Sequence, residues 1–421
     1  MVSNNAAMAA KQTGAPSAPS KFYIAAWRWH FYASLYVIPF LAVLAITGMA
    51  MAWIAHIDGR DGEYITITQG QTIMPVSEQA EAALSVVPNG TLKQYVAPRA
   101  GDLASIFRVD LDGVATTVVV DPYTAEVITS FPRRSGWYDF ADNVHGSLLL
   151  GDLGDRLIEI AASLAMVLIA TGLYMWWPRQ ARWKSALIPS LKSRGRGFWK
   201  SIHGVVGLWI SLFLVFFLIS GLSWSGIWGE KFMQAWNTFP AEKWDNVPLS
   251  DDIHASMNHG PKEVPWALEQ TPMPESGSDA GKTAIATGTS VNLDTMDGLA
   301  RSIGFDGRYQ MNIPSGEKGV YTFSRDSMSM DSKYPTSDRT VHVDRYTGKI
   351  LADVRFEEYS LAGKAMAVGV ALHMGTLGLW SVLANTLVCL FVCSHTLYQW
   401  RRHVVEEAAF RGYSPRCATF A

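Results

Sequence analysis

Four stretches of the chain contain no Asp, Glu, Lys or Arg: 31–54, 160–177, 202–229 and 365–400, of 24, 18, 28 and 36 residues. Crossing about 30 Å of hydrocarbon takes roughly 20 helical residues at a rise of about 1.5 Å each. The first and third stretches fit directly. The second is short, and 157–159 extend it at the interface. The fourth is too long for one span and is expected to begin as an interfacial helix. One buried soluble helix could imitate such a stretch, but four in one chain point to a membrane bundle. Between the spans the pattern changes to alternating apolar and polar positions before Asp121 and Asp344, which predicts strands closed by Asp-x-Tyr-Thr turns. Short helices are predicted ahead of them at 76–87 and 291–303.

The chain repeats this plan. His30 is followed 18 residues later by Gly48 in Ile46-Thr47-Gly48, and His203 by Gly221 in Ile219-Ser220-Gly221. Each half then carries a soluble stretch ending in a similar phrase, Val120-Asp121-Pro122-Tyr123-Thr124 and Val343-Asp344-Arg345-Tyr346-Thr347. Next come His145 or His373 and a second span, and those spans end alike, at Leu173-Tyr174-Met175-Trp176 and Leu397-Tyr398-Gln399-Trp400. The expected fold is an α-helical bundle of four transmembrane helices with two periplasmic α+β domains, arising by internal duplication. In order, it comprises a disordered N-terminus (1–20), helix 1 (21–56), soluble domain 1 (57–140), and an interfacial segment with helix 2 (141–178). A basic loop (179–200) leads to helix 3 (201–229), a loop-like insertion (230–285) and soluble domain 2 (286–360). An interfacial segment with helix 4 (361–402) and a tail (403–421) complete it.

Composition agrees with a part-embedded chain, with 49% hydrophobic and 17% charged residues. The segment 179–200 holds seven Lys and Arg and no acid. Lys21 and Arg28 precede the first span, and Arg401 and Arg402 follow the fourth. All lie on one side, which the positive-inside rule makes cytoplasmic. Both termini are then cytoplasmic, and 55–155 and 230–364 face the periplasm of a bacterial inner-membrane protein. No compact basic motif suggests nucleic acid. The cysteines, Cys389, Cys393 and Cys417, lie outside both soluble regions, so no disulfide braces those regions.

The chemistry lies in the histidines. His30 and His203 open spans on the cytoplasmic side, and His145 and His373 lie at the periplasmic ends of theirs. Ionisable groups beside a bundle are costly and point to function, and neutral imidazoles in pairs suit axial ligation of haem iron. His395 follows His373 by 22 residues, within roughly 40° of the same face at about 33 Å along a continuous helix. The candidate haem-iron ligands are therefore His30, His145, His203, His373 and His395, serving two b-type haems. On the cytoplasmic side pseudosymmetry favours His30 with His203, while the shared face favours His203 with His395. His254 and His259, Met328 and Met330, and His56 read as loop or interfacial residues, and Trp176-Trp177 as an aromatic belt.

Trp27-Arg28-Trp29-His30-Phe31-Tyr32 with Pro39 and Thr47-Gly48 resembles the first span of the PepSY-associated transmembrane family. So do His145-Gly146-Ser147-Leu148, the run Gly172–Arg179, His203-Gly204, His373-Met374-Gly375-Thr376 and Trp400-Arg401-Arg402. The resemblance covers most of 22–403, although His395 stands where a small residue is expected. It implies PepSY-like domains, a link to iron uptake and, in some members, haem-dependent reduction of ferric siderophores. The resulting expectation is an oxidoreductase passing electrons to a periplasmic ferric siderophore. Without a Gly-rich dinucleotide fingerprint, quinol or a cytoplasmic reductase must be the donor. The competing expectation is a non-enzymatic membrane protein whose soluble domains bind or regulate a partner protein or transporter.

Overall fold

The computed structural model describes residues 20–178, 183–233, 246–254 and 265–412. The expected disordered N-terminus before residue 20, His259, much of the 230–285 insertion and the end of the tail lie outside them. The chain divides into two compact units, 1–39 with 161–215, and 40–160 with 216–421.

The elements run α1 (Lys21–Ile57), α2 (Val76–Ser85), β1 (Thr91–Val96), β2 (Ser105–Leu111), β3 (Val114–Val120), β4 (Val127–Pro132), α3 (Trp137–Ser147), α4 (Asp152–Trp176), α5 (Trp183–Leu187) and α6 (Gly195–Leu222). After them come β5 (Leu249–Ile253), β6 (Pro272–Pro274), α7 (Leu293–Ser302), β7 (Gln310–Asn312), β8 (Val320–Arg325), β9 (Arg339–Asp344), β10 (Ile350–Arg355), α8 (Leu361–Met374) and α9 (Leu379–Gly412). Among the described residues four helices are long and apolar enough to cross a membrane: α1, α4, α6 and the Leu379–Thr396 part of α9. Their outward positions carry Trp209, Leu212, Phe213, Leu383, Leu387 and Phe391, all exposed. Large side chains of this kind are stable against hydrocarbon and unfavourable against water.

One boundary differs from the sequence reading. The basic loop ends earlier, because α6 begins at Gly195 and its first turns carry Arg196 and Lys200. The fourth stretch breaks into α8 and α9, as its length required. Gly375 closes α8 in the left-handed conformation (φ 75°), which glycine adopts without a Cβ penalty. The amide of Asn385 then donates to the carbonyls of Leu372 (2.8 Å) and His373 (3.0 Å), fixing the turn. That break also removes the single continuous face on which His373 and His395 had been aligned.

The larger correction concerns the soluble part. Two separate domains were expected, but the strands form one eight-stranded antiparallel sheet in the order β10-β9-β8-β7-β1-β2-β3-β4. Each half contributes a four-stranded meander, and the meanders join edge to edge where β1 pairs with β7, Tyr95 opposite Met311. Pairing in this way covers a sheet edge that each meander would otherwise leave open. A buried amide ladder fastens the joint. Gln94 Nε2 donates to Gln310 Oε1 (2.9 Å) and Asn312 Oδ1 (2.7 Å), and Arg108 Nη1 donates to Gln94 Oε1 (2.6 Å).

One face of the sheet carries Tyr95, Phe107, Val118, Met311, Phe323 and Val341. On it lie α2, through Val76, Ala80 and Ala83, and α7, through Met296, Leu299 and Ala300. Each large apolar side chain so buried contributes about 1.5–3 kcal/mol. Both predicted turns form as Asx turns. Asp121 Oδ1 accepts from Tyr123 N (2.8 Å), and Asp344 Oδ1 from Tyr346 N and Thr347 N (both 2.8 Å). The insertion is less irregular than its sequence suggested, since β5 and β6 pair within it and Trp266 and Leu268 are buried.

Among the loops, Asp338 is buried before β9 and accepts from Ser327 N (2.8 Å). Burial, and after it the neighbouring Asp326 carboxyl, pushes its pKa up to about 8. In an unfolded chain an aspartate titrates near 3.9 or so. Between these values the native state holds the extra proton, so this group makes stability fall as pH rises from about 4 to about 8. Asp338→Asn is expected to flatten that decline and to raise the melting temperature at pH values near 8 or above, read from thermal unfolding in detergent. A slope identical to that of the parent protein contradicts the assignment.

Candidate functional site: two histidine pairs

His145 sits in the last turn of α3 and His373 in the last turn of α8. Both short helices end in a left-handed residue, Leu148 (φ 51°) and Gly375, before the next span begins. Close packing holds the first turn, since a Cβ on Gly154 would lie 1.6 Å from the Ser147 carbonyl oxygen. The two imidazoles face each other with ring centres 6.4 Å apart and planes at 89°. In the other unit His30, on α1, faces His203, on α6, with ring centres 6.1 Å apart and planes at 81°.

These rings are too far apart to bond to each other, and the separation has a chemical reading. A metal–imidazole bond is about 2.0–2.1 Å, so one ion between two opposed rings sets their centres roughly 6.3 Å apart. Among the described residues no group of three or more His, Cys, Asp or Glu could hold a metal ion. Each pair suits a metal that brings its other ligands with it, as the iron of a macrocycle does.

The tautomers follow from the surroundings. Thr47 donates its hydroxyl proton to the Val43 carbonyl (2.8 Å), so toward His145 Nδ1 (2.9 Å) its oxygen can only accept. Ser220 likewise donates to Phe216 O (2.7 Å) and accepts from His373 Nδ1 (2.8 Å). His30 Nδ1 donates to the Leu168 carbonyl (3.0 Å) and to Thr171 Oγ1 (3.2 Å), whose own proton goes to Val167 O (2.7 Å). In all three rings the proton stays on Nδ1 and Nε2 keeps its lone pair, the arrangement that second-shell acceptors impose on metal-binding imidazoles.

A glycine follows each of these hydroxyl residues, and the ring lies on it. A Cβ on Gly48 or Gly221 would come within 3.3 Å of Cε1 of His145 or His373, and one on Gly172 within 3.0 Å of Cε1 of His30. The Ser/Thr-Gly step thus serves twice, the hydroxyl orienting the ring and the glycine giving it room. Sequence reasoning found the glycines and missed the hydroxyls. The signal was available, because Thr47, Thr171 and Ser220 each stand immediately before the glycine.

The PepSY-associated TM region family matches residues 27–398. The chain belongs to this family. No curated protein matches it in sequence.

Within this PepSY-associated protein the fifth histidine stands differently. His395 is half-buried on α9. Aligning Leu173-Tyr174-Met175-Trp176 with Leu397-Tyr398-Gln399-Trp400 puts His395 in the register of Thr171, and Thr396 in that of Gly172. Its register is that of a supporting residue, while the facing rings are those of His30 and His203. A further pair lies inside the sheet region, where His254 Nε2 and His342 Nε2 are 2.9 Å apart. That distance is a direct hydrogen bond and leaves no space for an ion. Met328 is buried against Trp266 and Met366. His56 lines a cavity beside the turn that follows His373.

Ser220→Ala removes the acceptor for His373 Nδ1–H with little change of side-chain shape. In protein free of any metal, the His373 ring is expected to shift toward the Nε2–H tautomer, read from its ¹⁵N chemical shifts after selective histidine labelling. An unchanged Nδ1–H signal contradicts the assigned hydrogen bond.

Proposed function

We propose that the protein is a dihaem inner-membrane reductase that delivers electrons to a periplasmic ferric siderophore, with His30 and His203 holding one haem iron and His145 and His373 the other. The observation that carries this reading is the pair of facing rings at 6.1 and 6.4 Å, with Nδ1 protons spent on fixed acceptors in three of the four. Family membership supports it, since the implied iron chemistry needs a redox group and the chain offers two sites shaped for one. We also infer that the two halves arose by duplication, because each repeats a span, a helix with a four-stranded meander, a histidine-capped short helix and a second span.

Haem, if held by His30 with His203 and by His145 with His373, would supply one-electron ferric/ferrous chemistry suited to electron transfer. The chain's residues do the rest. Thr47, Ser220, Thr171 and the Leu168 carbonyl hold the rings in one orientation. Gly48, Gly172 and Gly221 leave the helix surfaces open beside them, and the apolar helices exclude water. Quinol, or a cytoplasmic reductase, is the donor, and one quinol gives two electrons and two protons and so serves two ferric chelates in turn. Each chelate takes one electron, and its hard oxygen donors hold ferrous iron far less well than ferric, so the metal is released. The basic segment 179–200 supports a cytoplasmic side for its own ends of the spans and so a periplasmic side for the sheet.

The test is a reduced-minus-oxidised visible spectrum of the purified protein with haem quantified per chain. Two b-type haems are expected, falling to one in His145→Ala and in His373→Ala, and to one in His30→Ala and in His203→Ala. A parent protein free of haem contradicts the reading. So does unchanged haem content in all four variants.

A further inference from the structure

A cavity of about 200 Å³ opens directly beyond the His145–His373 pair. Met374, Gly375, Thr376 and Gly378, which follow His373, form one wall. Ala52, Ala55 and His56 of α1 form the second, and Tyr64, Arg99, Met330, Ser332 and Lys333 of the sheet loops the third. Ala52 and Ala55 lie four and seven residues beyond Gly48, the residue against which His145 rests. They therefore continue the Gly48 face of α1 for about 6 to 10 Å, all in small side chains. A group seated between the rings would therefore share with the cavity one face of α1.

The lining of the cavity is positively charged through Arg99 and Lys333. No acidic residue lines it. Arg99 donates through Nη1 to the Met330 carbonyl, but its Nε and Nη2 are buried with no hydrogen-bond partner. Glu63 forms a long ion pair with it, Oε2 lying 4.0 Å from Nη2, while the other carboxylate oxygen, Oε1, is bound by Arg308 at 2.5 Å. Lys333, exposed at the same wall, has its ammonium 5.3 Å from the Tyr334 ring centre, and no salt bridge joins it to a carboxylate among the described residues. Buried guanidinium N–H groups are costly to leave unmade and match a carboxylate in a two-bond fork.

We propose that this cavity is a carboxylate site, and that Arg99 and Lys333 take the propionate side arms of the tetrapyrrole held by His145 and His373. It rests on the haem reading of that pair. The carboxylate chemistry alone would also suit an anionic iron chelate, so the experiment separates the two sources.

The full-length protein in detergent is used throughout. Haem loss to excess apomyoglobin is followed for the parent protein, Lys333→Met and Arg99→Met, and for the parent reconstituted with haem dimethyl ester. Loss from one of the two centres is expected to be about tenfold or more faster in Arg99→Met and with the ester, as a charge-assisted hydrogen bond implies, and less so in Lys333→Met. That centre's midpoint potential should fall, because a removed cation no longer favours the ferrous form, while the other centre keeps its value. In Arg99→Met the ester and the free acid should be lost at similar rates. The ester arm needs no variant, so misfolding of Arg99→Met leaves the test intact. Equal loss of ester and acid from the parent overturns the proposal. An Arg99→Met protein that keeps its haem and potential but has a raised KM for an anionic chelate overturns it in favour of a substrate site. A parent protein that binds no haem at all defeats the underlying reading instead.

Discussion

Everything in the candidate site depends on where one proton sits. An imidazole can present a lone pair to a metal only if its other nitrogen keeps the proton, and a hydroxyl free to rotate does not enforce that. Here the helix backbone enforces it. Thr47, Thr171 and Ser220 have given their own protons to carbonyls one turn back, so each has only an acceptor to offer a histidine. An i−4 hydrogen bond of this kind is a modest burden within a helix. It turns a residue with two possible roles into one with a single role, and the glycine that follows gives the ring its place.

The same economy shapes the chain around the pairs. His145 and His373 each occupy the last turn of a short helix, where the backbone must reverse before a span. A left-handed residue ends that helix, and a tight turn sets the ring against the preceding span. The eight-stranded sheet adds rigidity on this side. Its central joint, β1 with β7, ties the first half of the chain to the second through backbone pairing and the Gln94–Gln310–Asn312 ladder, so both histidine-bearing short helices emerge from one body.

Much of this was legible in the sequence. Charge-free stretches gave the spans because hydrocarbon tolerates little else, and the Asp-x-Tyr-Thr phrases gave the turns because their hydrogen bonds are local. The joining of the meanders was not legible. It is a pairing between segments more than 200 residues apart, and nothing in the alternation of β1 distinguishes a partner in β7 from open solvent. The break between α8 and α9 followed from length, but only its position showed that His373 and His395 do not share one continuous helix. In the site the histidines and glycines stood out by type and spacing. Thr47, Thr171 and Ser220 did not, because a Ser or Thr in a span usually bonds only its own backbone. Arg99 was hidden for another reason: its significance lies in buried guanidinium N–H groups that make no hydrogen bond, which no sequence records.

The ring planes give the most direct measurement of the central claim. If each pair holds a ferric haem iron, ring planes at 81° and 89° would leave two of its d orbitals nearly degenerate, which low-temperature electron paramagnetic resonance would report as a highly anisotropic low-spin signal. The account predicts such a signal from both centres of the oxidised protein, each abolished by alanine at either histidine of its pair. A high-spin spectrum, or a low-spin signal of the kind given by parallel imidazoles, would contradict it.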